Sequence, residues 1–362
     1  MDRRTFLRTT GAAATAGALG ATAGCLGLLE TRSARSPPVL EDRPNAVYFP
    51  THVEGMEMGE MAKAGDYAAM TMYSYPHRFW NVNGTSVEMT PIQEGDDAHV
   101  MVSVFDPETK QVLPDAGVSI AIESDGETVS QETIYPMLSQ PMGFHYGANF
   151  DLGDVDAATL TVNVSVGGLE GSGVTMTGDY AGRFSEGATL PVELPYSEAT
   201  KENITYEQTP DRAGELAARG PMGMDMDMPM GVAPAPGDLP GRVLGDPANG
   251  EPKSGDAVFA TTVVDADRFD GRYLAVSPRT PYNGYVVPRM GIQATVDRGG
   301  DTVFDDALDR VLDPELGYHY GANVDVQPDD DVTLSVTTPA QVARHEGYET
   351  AFLEFDDVEL TA

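Results

Sequence analysis

Short segments in which apolar and polar residues alternate occupy two long regions of the chain, residues 45–196 and 256–362. A period of two indicates half-buried strands, and Val, Ile, Thr and Tyr are frequent in these segments. Turn pairs such as Asn83-Gly84 and Asp125-Gly126 separate them. Strands are predicted at residues 66–75, 99–105, 118–123, 160–166, 189–194, 257–264, 272–277, 286–296, 332–338 and 350–360. The pattern therefore predicts an all-β fold of two immunoglobulin-like β-sandwich domains.

The region between the two domains, residues 197–255, has no such period. A polar stretch leads into residues 212–219, where a short helix is predicted. Methionine then alternates with Gly, Asp and Pro over residues 222–230, before a Pro/Gly/Ala run. This composition predicts a flexible linker. The methionine array, and a second group at Met56, Met58 and Met61, is either a copper-capturing element or compositional drift.

The N-terminus has the features of an exported lipoprotein. Residues 1–24 contain a twin-arginine pair followed by an uncharged Ala/Gly-rich stretch, and Cys25 follows Thr22-Ala23-Gly24 as in a lipobox. We expect export by the twin-arginine route, lipid attachment at Cys25, a tether over residues 25–44, and a location on the outer face of the cell membrane. Because Cys25 is the only cysteine, a metal site must use His, Met, carboxylates or carbonyls.

The charge of the chain is strongly acidic. It carries 57 acidic and 22 basic residues, with a formal net charge of −35, spread along the whole length. Such a surface is typical of halophilic proteins, because carboxylates stay hydrated in brine and their repulsion is screened. The N-terminal features and this charge together suggest a haloarchaeal protein. A surface of this sign repels phosphate backbones, which excludes nucleic acid as a partner.

One short phrase occurs twice. Residues 143–149 read Gly-Phe-His-Tyr-Gly-Ala-Asn, and residues 317–323 read Gly-Tyr-His-Tyr-Gly-Ala-Asn. The chain has only six histidines, so the matched contexts of His145 and His319 indicate a duplicated domain rather than a solenoid. We expect each histidine to lie on a turn, with the following glycine allowing an unusual backbone angle.

The first copy carries two thioethers beside its imidazole. Met137 and Met142 precede His145 in a segment rich in Pro and Gly. Thioether sulfur favours Cu(I), and imidazole also binds copper, so the mixture points to copper. The alternative is that the methionines fill gaps in the core and that His145 donates to a backbone carbonyl.

Met137 followed by His145-Tyr146-Gly147-Ala148-Asn149 resembles the signature of the bacterial periplasmic iron-transport family. Members of that family are immunoglobulin-like proteins that bind copper and assist iron uptake. The resemblance implies that His99, from an early strand, joins Met137 and His145 in a copper site, with Met142 as the alternative sulfur ligand. Tyr146, Asn149 or a carboxylate would then orient the imidazoles.

In the second copy, the resemblance implies that His319 and His345 are the corresponding ligands and that they approach each other. Tyr273 stands near the place of the early-strand histidine, and Val311 and Leu312 stand where the methionine would be. Each domain therefore holds half of a site. Either the halves meet between the domains or the first domain alone binds metal, and we favour the first domain as the main site. His77 lies three residues before the only Trp; we expect it to pack there, and a role as a metal ligand is the alternative.

These observations predict a cell-surface lipoprotein that binds copper and/or iron and assists the uptake of iron or copper. No motif of an enzyme is present, so we expect no catalytic activity. The expected partners are membrane lipid at the N-terminal anchor, a membrane iron permease and a second copy of the chain in a homodimer. The alternative is a structural or adhesive surface protein whose repeated motifs brace the sandwich.

Overall fold

The computed structural model describes residues 37–153, 155, 158–221, 231–245 and 251–362. Half of the described residues lie in strands and 5% in helices, which confirms the predicted all-β sandwich class. The predicted export signal, Cys25, most of the predicted tether and the methionine array at 222–230 lie outside the described residues. In the part of the chain that the structure describes, no helix is long and apolar enough to cross a membrane.

The strands are numbered in chain order. Those of the first half are β1 (His52–Glu54), β2 (Glu57–Ala64), β3 (Tyr67–Ser74), β4 (Phe79–Asn83), β5 (Ser86–Thr90), β6 (Ala98–Phe105), β7 (Val118–Ser124), β8 (Glu127–Thr133), β9 (Tyr135–Ser139), β10 (Gly143–Phe150), β11 (Thr159–Val166), β12 (Val174–Met176) and β13 (Ala188–Pro195). Those of the second half are β14 (Tyr206–Gln208), β15 (Arg242–Val243), β16 (Lys253–Ser254), β17 (Ala257–Ala266), β18 (Gly271–Arg279), β19 (Gly291–Arg298), β20 (Asp301–Ala307), β21 (Asp309–Asp313), β22 (Gly317–Asn323), β23 (Asp331–Thr338), β24 (Ala343–Arg344) and β25 (Val358–Thr361).

Helices are few and short. The α-helix α1 spans Glu198–Asn203 and begins with a capping box, in which the Ser197 side chain accepts from the backbone N–H of Thr200. Single turns of 3-10 helix occur at Gly178–Tyr180, Pro236–Asp238 and Asp267–Phe269. The described part of the chain therefore depends on strand pairing and sheet packing for its stability.

The first sandwich consists of an eight-stranded sheet in the order β2-β3-β6-β10-β9-β24-β4-β5 and a four-stranded sheet in the order β13-β11-β7-β8. Val100 and Val102 of β6 share one apolar core with Ile120 of β7 and Val162 of β11. The strands β7, β11 and β13 alternate between buried and more exposed residues, as strands with one face toward a core do.

The central strands of the larger sheet are buried on both faces. All eight residues of β3 and all eight of β6 are buried, and so are all but one in β10. One face of these strands packs in the sandwich core. The other face, which would meet solvent in a simple sandwich, is covered by other parts of the chain and carries polar and thioether side chains. This covered face holds the candidate site.

The second sandwich repeats this plan. Its larger sheet has the order β12-β21-β22-β18-β17-β15, with β16 also pairing with β17, and its smaller sheet has the order β20-β19-β23-β25. The repeated histidine phrases occupy corresponding strands, β10 and β22, in the two larger sheets. The duplication read from the sequence is thus a duplication of sheet topology around one strand.

Three strand pairings join parts of the chain that are far apart in sequence. The two-residue strand β24 inserts between β9 and β4 in the eight-stranded sheet. The strand β12 pairs in parallel with β21, and β1 pairs with β14. The first of these pairings delivers the residue that follows β24, His345, to the covered face. The domain boundaries themselves stay a prediction.

Some predicted elements differ in the structure. The short helix predicted over residues 212–219 is wrong, since Gly214 donates to the Phe49 carbonyl and the segment forms turns. The strand predicted from residue 286 begins at Gly291, and that predicted over 350–360 is present only as β25. In the segment before β25, backbone bonds such as Ala351 to the Tyr348 carbonyl close turns instead.

Arg344 anchors the segment that β24 brings into the sheet. Its side chain is fully buried, and its guanidinium donates to the carbonyls of Ala351, of Ala340 at 3.2 Å and of Phe352 at 3.1 Å. Burial lowers the pKa of Arg344 to about 9, which still leaves it charged at neutral pH. This cation therefore fixes the loop that holds His345.

We expect Arg344→Leu to lower the free energy of unfolding by about 3–5 kcal/mol, because it leaves several buried carbonyls without a donor. Chemical denaturation would measure the loss. Arg272→Leu is the control, since Arg272 pairs with an exposed carboxylate of Asp325, and it should cost less than about 1 kcal/mol. Equal losses in both variants would contradict this role of Arg344.

Candidate metal centre

One face of the eight-stranded sheet brings the predicted ligands together. In register, His145 of β10 is directly opposite Met137 of β9, and Asn149 of β10 is opposite His99 of β6. Directly opposed residues point to the same face of a sheet, and so do residues two apart in a strand. Met137, His145 and His99 therefore share the covered face, with Gly147 between them.

The repeated phrase is a strand, not a turn. Residues 143–150 form β10, and Gly147 has an ordinary strand backbone, so the expected unusual angle after the histidine is wrong. The glycine is required for space instead. A Cβ at position 147 would lie 3.0 Å from His99 Nε2 and 3.2 Å from Met137 Sδ. The positive φ of 67° belongs to Gly143, at the turn between β9 and β10.

Three of the clustered imidazoles are held by their Nδ1 atoms. His99 Nδ1 lies 2.7 Å from Asn149 Oδ1, whose amide nitrogen donates to the His77 carbonyl, so His99 must be the donor. His145 Nδ1 donates to the Gly143 carbonyl at 3.1 Å. His77 Nδ1 lies 3.1 Å from the Tyr75 carbonyl and 2.8 Å from Glu54 Oε1. In each of the three rings the proton is therefore on Nδ1, and Nε2 keeps its lone pair.

Among the described residues, those three Nε2 atoms have no hydrogen-bond partner. The Nε2 atoms of His77, His99 and His145 are buried and make no hydrogen bond among the described residues. An unpaired buried polar atom costs about 1–3 kcal/mol, so three in one place call for an explanation. Imidazoles that donate from one nitrogen to a protein acceptor and present the other are the usual arrangement of metal-bound histidines.

His345 and Met137 complete the cluster. The backbone N–H of His345 donates to the Leu138 carbonyl as an extension of the β24–β9 pairing, and His345 Nε2 lies 3.3 Å from Met137 Sδ. The His345 ring centroid is 5.3 Å from that of His99 and 5.1 Å from that of His145. We call His77, His99, His145, His345 and Met137 the His–Met cluster.

His77 is a member of the cluster that the sequence did not single out as a ligand. It lies in the loop between β3 and β4, and its ring centroid is 3.9 Å from that of His99 and 4.7 Å from that of His345. One nitrogen from each of these three histidines lies within 4.8 Å of the other two. In the sequence His77 lies just after the strand predicted over residues 66–75, and only the pairing of β3 with β6 brings it beside His99.

Burial keeps the clustered histidines neutral. It lowers the pKa of His77 to about 3 and that of His145 to about 4, and it holds the pKa of His99 and His345 well below the usual value. Neighbouring histidines oppose protonation further, since a second positive charge in the cluster would be repelled. The neutral imidazole is the form that binds a metal ion.

Met142 lies apart from Met137. It occupies the turn between β9 and β10 and packs with Met70, Met72 and Met101 in a small apolar cluster, whereas Met137 packs with Phe79 and Ala343. Among the two methionines that the sequence left open, the structure brings Met137 to the histidines.

In the second copy of the motif, a tyrosine hydroxyl occupies the histidine nitrogen that is unpaired in the first copy. His319 Nδ1 donates to the Gly317 carbonyl, as His145 does to Gly143, but its Nε2 lies 3.0 Å from the hydroxyl of Tyr273. Opposite His319 stands Val311. The expectation that His319 and His345 approach each other is wrong, because β24 carries His345 into the His–Met cluster.

His319 is buried but lies outside the His–Met cluster, so it tests the effect of burial on the pKa of a histidine without neighbouring imidazoles. Desolvation lowers the pKa of His319 to about 4, so the unfolded chain takes up this proton first as the pH falls. Its contribution to stability is complete above the unfolded pKa of about 6.5 and is lost toward pH 4. We expect the stability difference between the wild type and His319→Gln to shift by about 3 kcal/mol between pH 7 and pH 4. Denaturation at both pH values, with a chelator present, measures it; a pH-independent difference would contradict the buried neutral form.

Comparison with known proteins gives one family and two distant structures. A family model described as Domain of unknown function (DUF7350) matches residues 80–167 and 237–361, more than half of the chain. These segments include His99, Met137, His145, His319 and His345, and His77 lies just before the first. No curated protein sequence matches the chain.

Two solved structures of FetP from uropathogenic Escherichia coli strain F11 are similar to part of the chain. FetP as isolated is 18% identical, covers 40% of this chain and 95% of its own, and has a TM-score of 0.30. A copper-bound variant of FetP is 17% identical, covers 39% of this chain and 92% of its own, and has a TM-score of 0.31. With TM-scores this low, the site has to be interpreted from its own geometry.

Proposed function

The chain belongs to the family described as Domain of unknown function (DUF7350), and we propose that this member binds a copper ion in the His–Met cluster. The observation that carries the proposal is the set of three buried Nε2 atoms, on His77, His99 and His145, that lack partners among the described residues. Each has its tautomer set by an acceptor at Nδ1, so the lone pairs are available without rearrangement.

The donor set favours copper over other metals. Four imidazoles and one thioether offer nitrogen and soft sulfur, which suit Cu(I) and Cu(II). Calcium and magnesium require oxygen ligands. Structural zinc sites use thiolate and imidazole, and the chain has no cysteine among its described residues. Three or four of the five donors would satisfy one copper ion.

The residues around the cluster orient its ligands. Asn149 holds His99 by its carbonyl oxygen and holds the His77 loop by its amide, so one side chain sets the geometry of two imidazoles. Gly147 leaves the space between His99 and Met137 open. When copper is bound, it would supply a one-electron redox couple; the chain supplies buried imidazoles that stay neutral and therefore ready to bind the ion.

The proposal extends to the role of the protein. An export signal, lipid attachment at Cys25 and an acidic surface would place the copper site on the outer face of the cell membrane. There it would bind copper and/or iron and assist uptake, with a membrane iron permease as the receiving partner. The sequence resemblance to the periplasmic iron-transport family supports this role, and the absence of an enzyme motif supports a binding rather than a catalytic one.

Copper titration of the purified chain tests the proposal. After treatment with a chelator, the wild type should bind one Cu(II) at the cluster, and His145→Gln should weaken that binding by at least about 100-fold. His319→Gln is a matched control, since His319 occupies the same position of the repeated phrase, is equally buried and lies outside the cluster. If the two variants have the same Cu(II) affinity, or if no saturable binding occurs, the hypothesis of a structural or adhesive protein is favoured. The same titration with Fe(II) decides whether iron competes.

A further inference from the structure

A partly open cavity of about 80 Å³ adjoins the His–Met cluster. His77 and His345 are among the residues that line it. The space is large enough for more than one water molecule or for a metal ion with its ligands. We propose that this cavity is a second site, specific for Cu(I), with Met56, Met101 and Met142 as its donors, through which copper reaches the cluster. The proposal rests on the proposed function, because the cluster is the destination of the ion.

The methionines line the cavity from three different elements. Met101 lies on β6, on the same covered face as His99, two residues away along the strand. Met142 occupies the turn after β9, and Met56 directly precedes β2. All three line the same cavity as His77 and His345. Thioethers and imidazoles therefore border one space.

Methionine is concentrated on this side of the sheet. The apolar cluster here contains six methionines, with Ala68 and Phe105 as the other members: Met56, Met58, Met70, Met72, Met101 and Met142. The sandwich core is different, since it is built from Val, Leu, Ile, Phe, Tyr and Ala, with Met290 as its one buried methionine and Met176 packed against it. A filling role alone would be met by leucine, as it is in the sandwich core. The concentration indicates that sulfur is needed here.

The charged residues that line the cavity argue against a hard divalent cation, because two carboxylates are matched there by two guanidinium groups. Glu54 lies 2.8 Å from His77 Nδ1, and Glu346 accepts from the Thr51 backbone N–H at 2.9 Å. Arg78 and Arg219 line the same cavity and offset the charge of these carboxylates. A neutral thioether site does not depend on net negative charge, so it suits a soft monovalent ion.

Transfer from the cavity to the cluster is an exchange of ligands. Cu(I) leaves thioether donors and gains imidazole donors from His77 or His345, and its oxidation state does not change. Imidazole and Met137 together offer more donors than the cavity wall, so equilibrium favours the cluster. The cavity then acts as a selective passage, since ions that do not bind thioethers gain nothing from it.

Silver(I), a soft monovalent ion that stays in one oxidation state, is the probe for the test. The cavity variant is Met56→Leu/Met101→Leu/Met142→Leu, and the control is Met58→Leu/Met70→Leu/Met72→Leu. Both remove three sulfurs from the same apolar cluster with little change of volume, but only the first set lines the cavity. Residues 222–230 are the same in the wild type and in both variants, so any silver bound there does not affect the difference in silver count between them.

We expect the cavity variant to bind one silver ion fewer per chain than the wild type, and the control to bind as many as the wild type. Loading of Cu(I) into the cluster should be slower in the cavity variant only, while its equilibrium affinity for Cu(II) stays unchanged. A cavity variant with the wild-type silver count, or a control that loses as many ions, would overturn the proposal. Failure of the proposed function is seen separately, as an unchanged Cu(II) affinity in His145→Gln.

Discussion

Replacement of His345 by glutamine should weaken copper binding by at least about 100-fold, although His345 lies near the end of the chain and His99, His145 and Met137 remain in place. His345 Nε2 is 3.3 Å from Met137 Sδ. The centroid of the His345 ring lies 4.7 Å from that of His77, 5.3 Å from that of His99 and 5.1 Å from that of His145. Loss of a direct ligand should cost at least as much as the loss of a supporting residue, which is typically 10–100-fold.

His52→Gln is the control for this prediction. His52 lines the same cavity and lies 3.7 Å from Glu346, the residue next to His345, but it is not among the clustered imidazoles. It should leave the Cu(II) affinity nearly unchanged. Competition against a chromophoric chelator measures both variants. An equal effect of the two substitutions would show that the cavity as a whole, rather than the ligand, had been disturbed.

The position of His345 also shows which part of the site could not be predicted from the sequence. Long alternating segments such as β6 and β11 are strong local signals, and they were predicted within a few residues. The strand β24 has two residues, Ala343 and Arg344, and no period of its own. Its place between β9 and β4 depends on tertiary packing and on the buried guanidinium of Arg344. A ligand delivered by such a strand has no local pattern.

The two methionines left open by the sequence differ for a reason of register. Met137 and His145 are directly opposed across the β9–β10 hairpin, so their spacing brings sulfur and imidazole to one face. Met142 falls in the turn of that hairpin. The sequence predicts a turn at the repeated phrase, and a turn does not pair His145 with Met137. The pairing exists because residues 143–150 form a strand.

The second sandwich shows how a site of this design is closed. Tyr273 is opposite Asn323 as His99 is opposite Asn149, and Val311 is opposite His319 as Met137 is opposite His145. A Cβ at Gly321 would meet the hydroxyl of Tyr273, just as one at Gly147 would meet His99 Nε2. The two sandwiches thus share one framework and differ at two positions, His99 against Tyr273 and Met137 against Val311. These two differences leave Nε2 of His145 unpaired and Nε2 of His319 hydrogen-bonded.

The same correspondence predicts that the closed site can be opened. We expect Tyr273→His/Val311→Met, made in a His145→Gln/His345→Gln chain, to create a new site for one Cu(I) beside His319. The first substitution removes the phenol from His319 Nε2 and adds an imidazole, and the second adds a thioether, so three suitable donors meet. Phe269 stacks on Tyr273 with ring centroids 4.0 Å apart, in the place where the His77 ring packs against His99 at a tilt, and Phe269 adds no donor. The new site should therefore bind more weakly than the native cluster.

Tyr273→Phe/Val311→Leu in the same chain is the control for the new site. It also frees His319 Nε2 from the phenol, but it adds no donor. Titration with Cu(I) in competition with a chelator should show one additional ion in the first variant and none in the second. If both variants bind alike, the shared framework does not suffice to form a site, and the role assigned to the His99–Met137–His145 geometry in the first sandwich would have to be given up.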